Sequence, residues 1–311
     1  QFCNAEVRRR TKEAHNQTYA MILHGATRFA GVYFTLKRNF FLRTILREIA
    51  VSGGFEERRF KDADKLKDIL MDSSFWTQTN KLRCFLKPLK CYIRLVDHDC
   101  NTTHHVYHGM HLLHKLWTEN EPDVPRPFQT FALRKLMARW EFLQFPVHCV
   151  TYGLSPNYHA DNIFANARVM RGLKEVVKFF ATNNGDYQRA MREFTALKNH
   201  NDADIFPTDG NGTIITGMSP KSWWQMHGAS WPILQLIAIR VFSIGTSSST
   251  SERNFSTWSH IWSNRANSLT FERAVKMVYI YTNLRMLHSI CTGTQRTDHV
   301  EADWLELEIE E

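Results

Sequence analysis

The residues most able to do chemistry are the histidines, and they crowd into HHVYHGMHLLHKLW, His104 to Trp117. On a helix His104, His108 and His111 fall at i, i+4 and i+7, with His114 at the margin, a spacing that suits Zn²⁺. The same helix sets Val106, Met110, Leu113 and Trp117 on the opposite face, an apolar stripe that claims the interior. The histidines are therefore expected to face water, and no Glu or Cys joins them at catalytic spacing. Cys84, Cys91, His98 and Cys100 include six-residue gaps, which is not zinc-finger spacing. Neither group makes a complete metal site.

Two further constellations stay open on spacing alone. Lys37, Arg43 and Arg47 recur beside Tyr33, Phe34, Phe40 and Phe41, so a helix there could grip a phosphate backbone and stack a base. A solvated helix face over a Phe-rich core explains the same pattern. In SSSTSERNFSTW (Ser247 to Trp258), Glu252 falls just inside a helix start, on the same side as Phe255, Ser256 and Ser259, and so points partly inward. It reads either as a metal-ligand acid or as a capping residue paired to Arg253.

The elements that must position these residues read as helices. Apolar periodicity marks Phe40–Ile49, Lys65–Leu70, Phe131–Phe142, Arg168–Phe180 and Tyr187–Leu197. Breaks fall at Ser52-Gly53-Gly54, at Glu121 to Phe128, at Leu154 to Asn157 and at Asp209 to Gly217. Beyond Pro220, Trp231 to Ile244 is apolar nearly all round and predicts a buried helix, followed by helices from about Glu252 to Trp262 and from Phe271 to Leu287. No repeat and little β alternation are present; the fold class is mainly α.

Composition bounds the rest. The 311 residues, 43% apolar and 13% aromatic, exclude a disordered chain. No uncharged apolar run reaches the ~18 residues that a bilayer span needs, so no membrane partner is expected. Six scattered cysteines make no disulfide scaffold, and the first residues lack the apolar core of a signal peptide. The net charge of +8 averages a body with 39 basic and 24 acidic residues and a segment from Asp298 onward with seven acids and no Lys or Arg. That acidic end is expected to be solvated.

In order along the chain, these segments resemble the hAT superfamily of DNA transposases, in its plant-type or domesticated forms. SPKSWWQMHG, WPILQLIAIRVFSI, SSSTSERNFSTW and YTNLR (Tyr281 to Arg285) are similar to its C-terminal dimerisation region. ATRFAGVYFTL, Phe75-Trp76, RLVDHD and Ala138 to His159 are similar to its helical insertion domain. The resemblance spans roughly residues 15 to 290. It implies an all-helical insertion domain followed by the C-terminal helices of an interrupted RNase H-like fold. Implied domains are an insertion region over 1–205, the dimerisation region over 206–290, and an acidic end over 291–311.

What the resemblance implies about function is concrete. Such transposases hold two divalent metals, Mg²⁺, with Asp, Asp and Glu. Glu252 matches the third acid, while Arg28 and Phe29 match an Arg-Trp pair whose ring stacks on a flipped base. Both aspartates and the Cys-x-x-His between them belong upstream of Ala26, where this chain, which begins with Gln, has no room for them. A run normally rich in Lys and Arg reads NRANSL, keeping Arg265 alone. The chain as given is thus expected to be the inactive rear portion of a transposase or transposase-derived protein, binding no cofactor, with Mg²⁺ only in a complete parent. Self-association as a homodimer is expected through Trp223, Trp224, Trp231, Leu234, Ile237, Phe255 and Val278. DNA contact in the nucleus and no small-molecule substrate complete the expectation. Alternatives are part of an active transposase whose aspartates lie upstream or on another chain, and a co-opted DNA-binding regulator without cleavage.

Overall fold

The computed structural model describes residues 2–23, 30–56, 62–97, 101–119, 124–200, 202–208, 214, 217–262 and 269–292. It is mainly helical, and no strand occurs among the described residues, only an isolated bridge between Thr208 and Ile214. Two compact units divide it: residues 1–93 with 113–136, and residues 94–112 with 137 onward. This division falls elsewhere than the 205/206 boundary read from the sequence.

The first unit contains α1 (Phe2–His15), α2 (Gly31–Phe41), α3 (Arg43–Ala50), the single turn α4 (Gly53–Glu56) and α5 (Ala63–Met71). It also takes most of α6 (Ser73–Val96) and parts of α7 (Thr103–Thr118) and α8 (Arg126–Leu143). Its core is Val7, Leu42, Ile45, Leu46, Ile49, Phe55 and Trp76. In α3, RTILREIA, Ile45, Leu46, Ile49 and Ala50 are buried, whereas Arg43, Thr44 and Glu48 stay outside, the stripe that a half-buried helix needs. The single helix expected over Phe40–Ile49 is broken at buried Leu42, which ends α2 and starts α3. Burying Leu42 together with the α3 stripe is met by a change of direction, which a straight helix could not supply. The charged α1 is held by Arg9 and Arg10 around Glu6, with Arg10 reaching Glu48 at 3.2 Å. Trp76 donates its indole N–H to the Leu70 carbonyl at 2.7 Å and so closes α5 against α6.

The second unit is built on α9 (Pro146–Leu154), α10 (Ala167–Phe180), α11 (Asn184–Lys198), α12 (Pro220–His227) and α13 (Pro232–Val241). It ends in α14 (Ser249–Ile261) and α15 (Phe271–Cys291). Local chemistry sets the helix starts. Asn166 and Asn183 accept from the Val169 and Asp186 amides, and Ser219 accepts from Ser222 one residue before Pro220. The start of α13 is capped from elsewhere: the Glu193 carboxylate on α11 accepts the Ile233 and Leu234 amides, both at 3.0 Å. A carboxylate there satisfies two orphan donors and meets the positive end of the helix dipole. Gly172 of α10 lets α9 approach closely, since an added Cβ would lie 2.7 Å from the Cys149 Cβ.

The structure corrects two expectations about these elements. The His104 side of α7 faces water only at its far end: His104 and His105 are buried and His108 is half-buried, while His111 is exposed as expected. Imidazoles packed against aromatic rings are compatible with an interior, so the histidine face and the apolar stripe do not have to part. Helix α13 is covered at Leu234, Ile237, Ala238 and Val241, but Leu236 is exposed, so it is not buried all round.

Candidate functional site

Helices α14 and α15 form a hairpin whose shared seam is small. Ala274 and Val278 are the buried side chains of α15. Trp258, Trp262 and Phe271 cluster at one end, with ring centroids 5.2 to 5.9 Å apart. Thr282 donates to Asn254 across the pair at 3.4 Å. Much of the remaining apolar surface of α15 is exposed. Ile280, Leu284 and Leu287, with Met277, line one side, and Val275, Tyr279 and Met286 another, separated by Glu272 and Lys276. Phe255 on α14 is exposed as well. Isolated exposed apolar residues are ordinary, whereas here many of them share one hairpin.

The tryptophans expected to mediate self-association lie elsewhere. Trp223, Trp224 and Trp231 are buried within the chain, as are Leu234, Ile237 and Val278. Trp224 donates its indole N–H to Leu154 at 2.7 Å, and Trp223 donates to Ile205 at 3.0 Å. Trp223 also packs on Phe206, which stacks flat on His159 at 3.7 Å. Their side chains are therefore not open to a partner in this conformation. Of the residues named for association, Phe255 alone is exposed. The amphipathic size of tryptophan suits an interface and a core equally well, so sequence could not separate the two.

Glu252 sits in the first turn of α14 and is exposed, not turned inward. The Ser248 hydroxyl donates to its carboxylate at 3.1 Å, a side-chain pair that makes no cap hydrogen bond to the helix backbone. Among the described residues no three His, Cys, Asp or Glu side chains come together as a metal-binding group. Glu252 is thus not joined by two further metal-ligating side chains among the described residues. The α7 histidines serve packing: His104 lies against His105 at 3.9 Å, His105 is hydrogen-bonded to the Tyr158 hydroxyl at 2.6 Å, and His108 stacks on Tyr158. Burial, with His105 alongside, holds the His104 imidazole far below its ordinary pKa. Cys84 and Cys91 form no disulfide among the described residues; His98 and Cys100 lie outside the described residues.

The basic residues separate into two kinds. Arg47 is committed to structure, donating to the Leu70 and Met71 carbonyls and to the Ser73 hydroxyl at 2.8 to 3.2 Å, where it caps α5. The break at Leu42 also puts Lys37 on a different helix from Arg43. Lys37 and Arg43 are exposed in the first unit, and Arg43 covers the Phe40 ring at 4.5 Å. A further cation escapes the sequence pattern: Arg83 of α6 covers the same ring at 5.5 Å. The signal that could have found it is Arg83, Lys87 and Lys90 at i, i+4 and i+7 on an acid-free helix. Arg28, Phe29 and Arg265 lie outside the described residues.

With this geometry in place, comparison with known families is informative over the last third. Residues 196–284 match the hAT family C-terminal dimerisation region, so this stretch is similar to the C-terminal portion of hAT-family transposases. The matched segment takes in α12, α13, α14 and most of α15. No curated protein matches the chain. No described helix is long and apolar enough to cross a membrane.

Proposed function

We propose, from a chain carrying a hAT C-terminal dimerisation region, that it is a self-association module of a transposase-derived protein, with no catalysis of its own. The occupant of the α14–α15 surface is a second copy of the chain. The observation that carries this reading is the exposed apolar surface of α15, which lies inside the matched region up to Leu284. A twofold contact would lay Ile280, Leu284 and Leu287 of one copy on the same residues of the other. In this reading α13 to α15 are the last helices of an RNase H-like fold. Glu252 is then the remnant of a metal-binding set that this chain does not complete, and the protein works in the nucleus.

Sedimentation of the parent chain and of Ile280→Glu and Leu284→Glu tests the proposal. The parent is expected as a dimer at micromolar concentration and both variants as monomers with unchanged helical content. These side chains are already exposed in the single chain, so a carboxylate costs the fold little. In the dimer it would be an unpaired buried charge on each copy, costing several kcal/mol. A strictly monomeric parent, or variants that remain dimeric, would remove the hairpin from this role.

A further inference from the structure

The α14–α15 hairpin is joined to the rest of its unit by a short connection, Phe242 to Ser248. Beyond Ile244 this connection is made of small residues, and Gly245, Ser247 and Ser248 are exposed, so packing does little to fix its path. Hydrogen bonds from the start of α7, 141 to 144 residues earlier, fix it instead. The Ile244 carbonyl accepts from the Asn101 side-chain amide and, at 3.3 Å, from the Thr103 hydroxyl. Thr246 accepts the Thr102 backbone N–H at 2.9 Å, and its hydroxyl lies 3.1 and 3.2 Å from those of Thr102 and Thr103.

The start of a helix explains why an oxygen is wanted there. Its first backbone N–H groups have no acceptor within the helix. Asn101 accepts the Thr103 amide at 3.1 Å, and Thr246 supplies the acceptor for Thr102. Thr102 and Thr103 are 0% and 2% exposed, so water is no substitute, and a methyl group in place of the Thr246 oxygen would strand a buried donor. The Thr102 hydroxyl also reaches the Leu95 carbonyl at 3.0 Å, which ties the cluster to the end of α6. Phe242, at the head of the connection, meets His104 edge-on at 6.1 Å.

We propose that Thr246 is a positioning residue for the self-association surface. Its bonds to the start of α7 hold the connection, and through it the hairpin, in the orientation that presents Ile280, Leu284 and Leu287 to a second copy. This rests on the dimer reading above and adds to it a residue that touches no partner. Thr246 lies inside the matched segment while Asn101 to Thr103 lie outside it, so the segment depends on a helix far upstream for its presentation. Because α14 and α15 mainly pack on each other, an unpinned connection lets the pair swing as a body. Only pinned copies are then ready to associate, and two are needed, so the apparent dissociation constant rises as the inverse square of the pinned fraction. A fraction cut to about a third weakens the dimer roughly tenfold.

The test compares Thr246→Val, which keeps the shape and removes the oxygen, with Thr246→Ser, which keeps the oxygen. Sedimentation equilibrium reads the dimer dissociation constant. Amide hydrogen exchange over residues 101–105, on the monomeric Leu284→Glu background, reads the pin by itself. Thr246→Val is expected to speed this exchange and to weaken the dimer about tenfold, and Thr246→Ser to restore both. Ser243→Ala, whose hydroxyl bonds the Ile239 carbonyl within α13, leaves both unchanged. Should Thr246→Val lose helical content, Thr103→Val breaks the same contact from the α7 side. Exchange that stays slow in these variants overturns the pin. A dimer of undiminished strength, with exchange quickened, overturns the positioning role and leaves the dimer reading standing. A monomeric parent chain overturns both before any residue is changed.

Discussion

Trp224 separates two accounts of the Trp-Trp pair, and substituting it gives opposite signatures under each. Its side chain is 0% exposed. It meets Trp223 and Trp231 edge-on at 5.4 and 6.3 Å, and its indole N–H bonds the Leu154 carbonyl at 2.7 Å. Trp224→Ala is expected to cost about 3–5 kcal/mol, the usual range for emptying a buried aromatic site. Trp224→Phe keeps a ring but strands the Leu154 carbonyl, which alone costs about 1–3 kcal/mol, so with the smaller ring volume roughly 2–4 kcal/mol follows. Denaturant unfolding monitored by far-UV circular dichroism, on the monomeric Leu284→Glu background, reads this loss without any contribution from association. If Trp224 belonged to the interface, the monomer would lose less than ~0.5 kcal/mol while dimerisation of the parent chain weakened, as for surface positions. That outcome would refute the core assignment and restore the tryptophans to the contact surface.

Two further expectations concern the second unit. Gly172→Ala gains about 1 kcal/mol of helix propensity, but its Cβ would fall 2.7 Å from the Cys149 Cβ and 3.3 Å from the Pro146 Cα. Backbone cannot yield as a side-chain tip can, so a net loss on the order of 1–2 kcal/mol is expected in denaturant unfolding; a stabilised variant would show that α9 and α10 have room to part. Acid should loosen the same unit. Burial pushes His148 and His159 down to about 4, and His104 further, so the unfolded chain takes up these protons first. Stability is then complete above pH ~6.5 and declines as pH falls toward 4. Unfolding midpoints equal at neutral pH and at pH ~4.5 would contradict this, and His148→Gln should make the decline shallower.

Helix identity was legible where one face repeats. Arg168–Phe180 and Tyr187–Leu197 sit within α10 and α11, and the Glu252 to Trp262 segment lies close to α14. Their signal is local, either an apolar stripe or a Ser or Asn at the helix start. The features that stayed hidden depend on partners distant in sequence. The Glu193 cap joins α11 to α13, and no periodicity announces it. The direction that His104 faces depends on Tyr158 and His105 packing around α7, so a two-sided wheel misassigned it. Arg47 and Arg43 are equivalent by spacing, yet the first closes α5 and the second stands on Phe40. Charge type alone could not divide them, because both lie on α3 and the division is made by the neighbours each meets, the end of α5 for Arg47 and Phe40 for Arg43.

The same logic explains why the matched segment behaves as two parts. Helix α13 is anchored within its unit on one side: it packs on α9, α11 and α12, its first turn is held by Glu193, and Gln235 bonds the Trp224 carbonyl at 2.8 Å. Helices α14 and α15 mainly pack on each other, and their seam buries little beyond Ala274 and Val278. A two-helix hairpin with so small a seam gains little from its own burial against the entropy of ordering it. Its apolar residues are nonetheless numerous, so the missing burial has to come from outside the hairpin. The tryptophan-rich half of the motif therefore fixes a platform, and in the proposed dimer the plainer aliphatic half, Ile280, Leu284 and Leu287, would hold the surface that a second copy completes. On that proposal, the rings that make the segment recognisable and the side chains that make it associate are different residues.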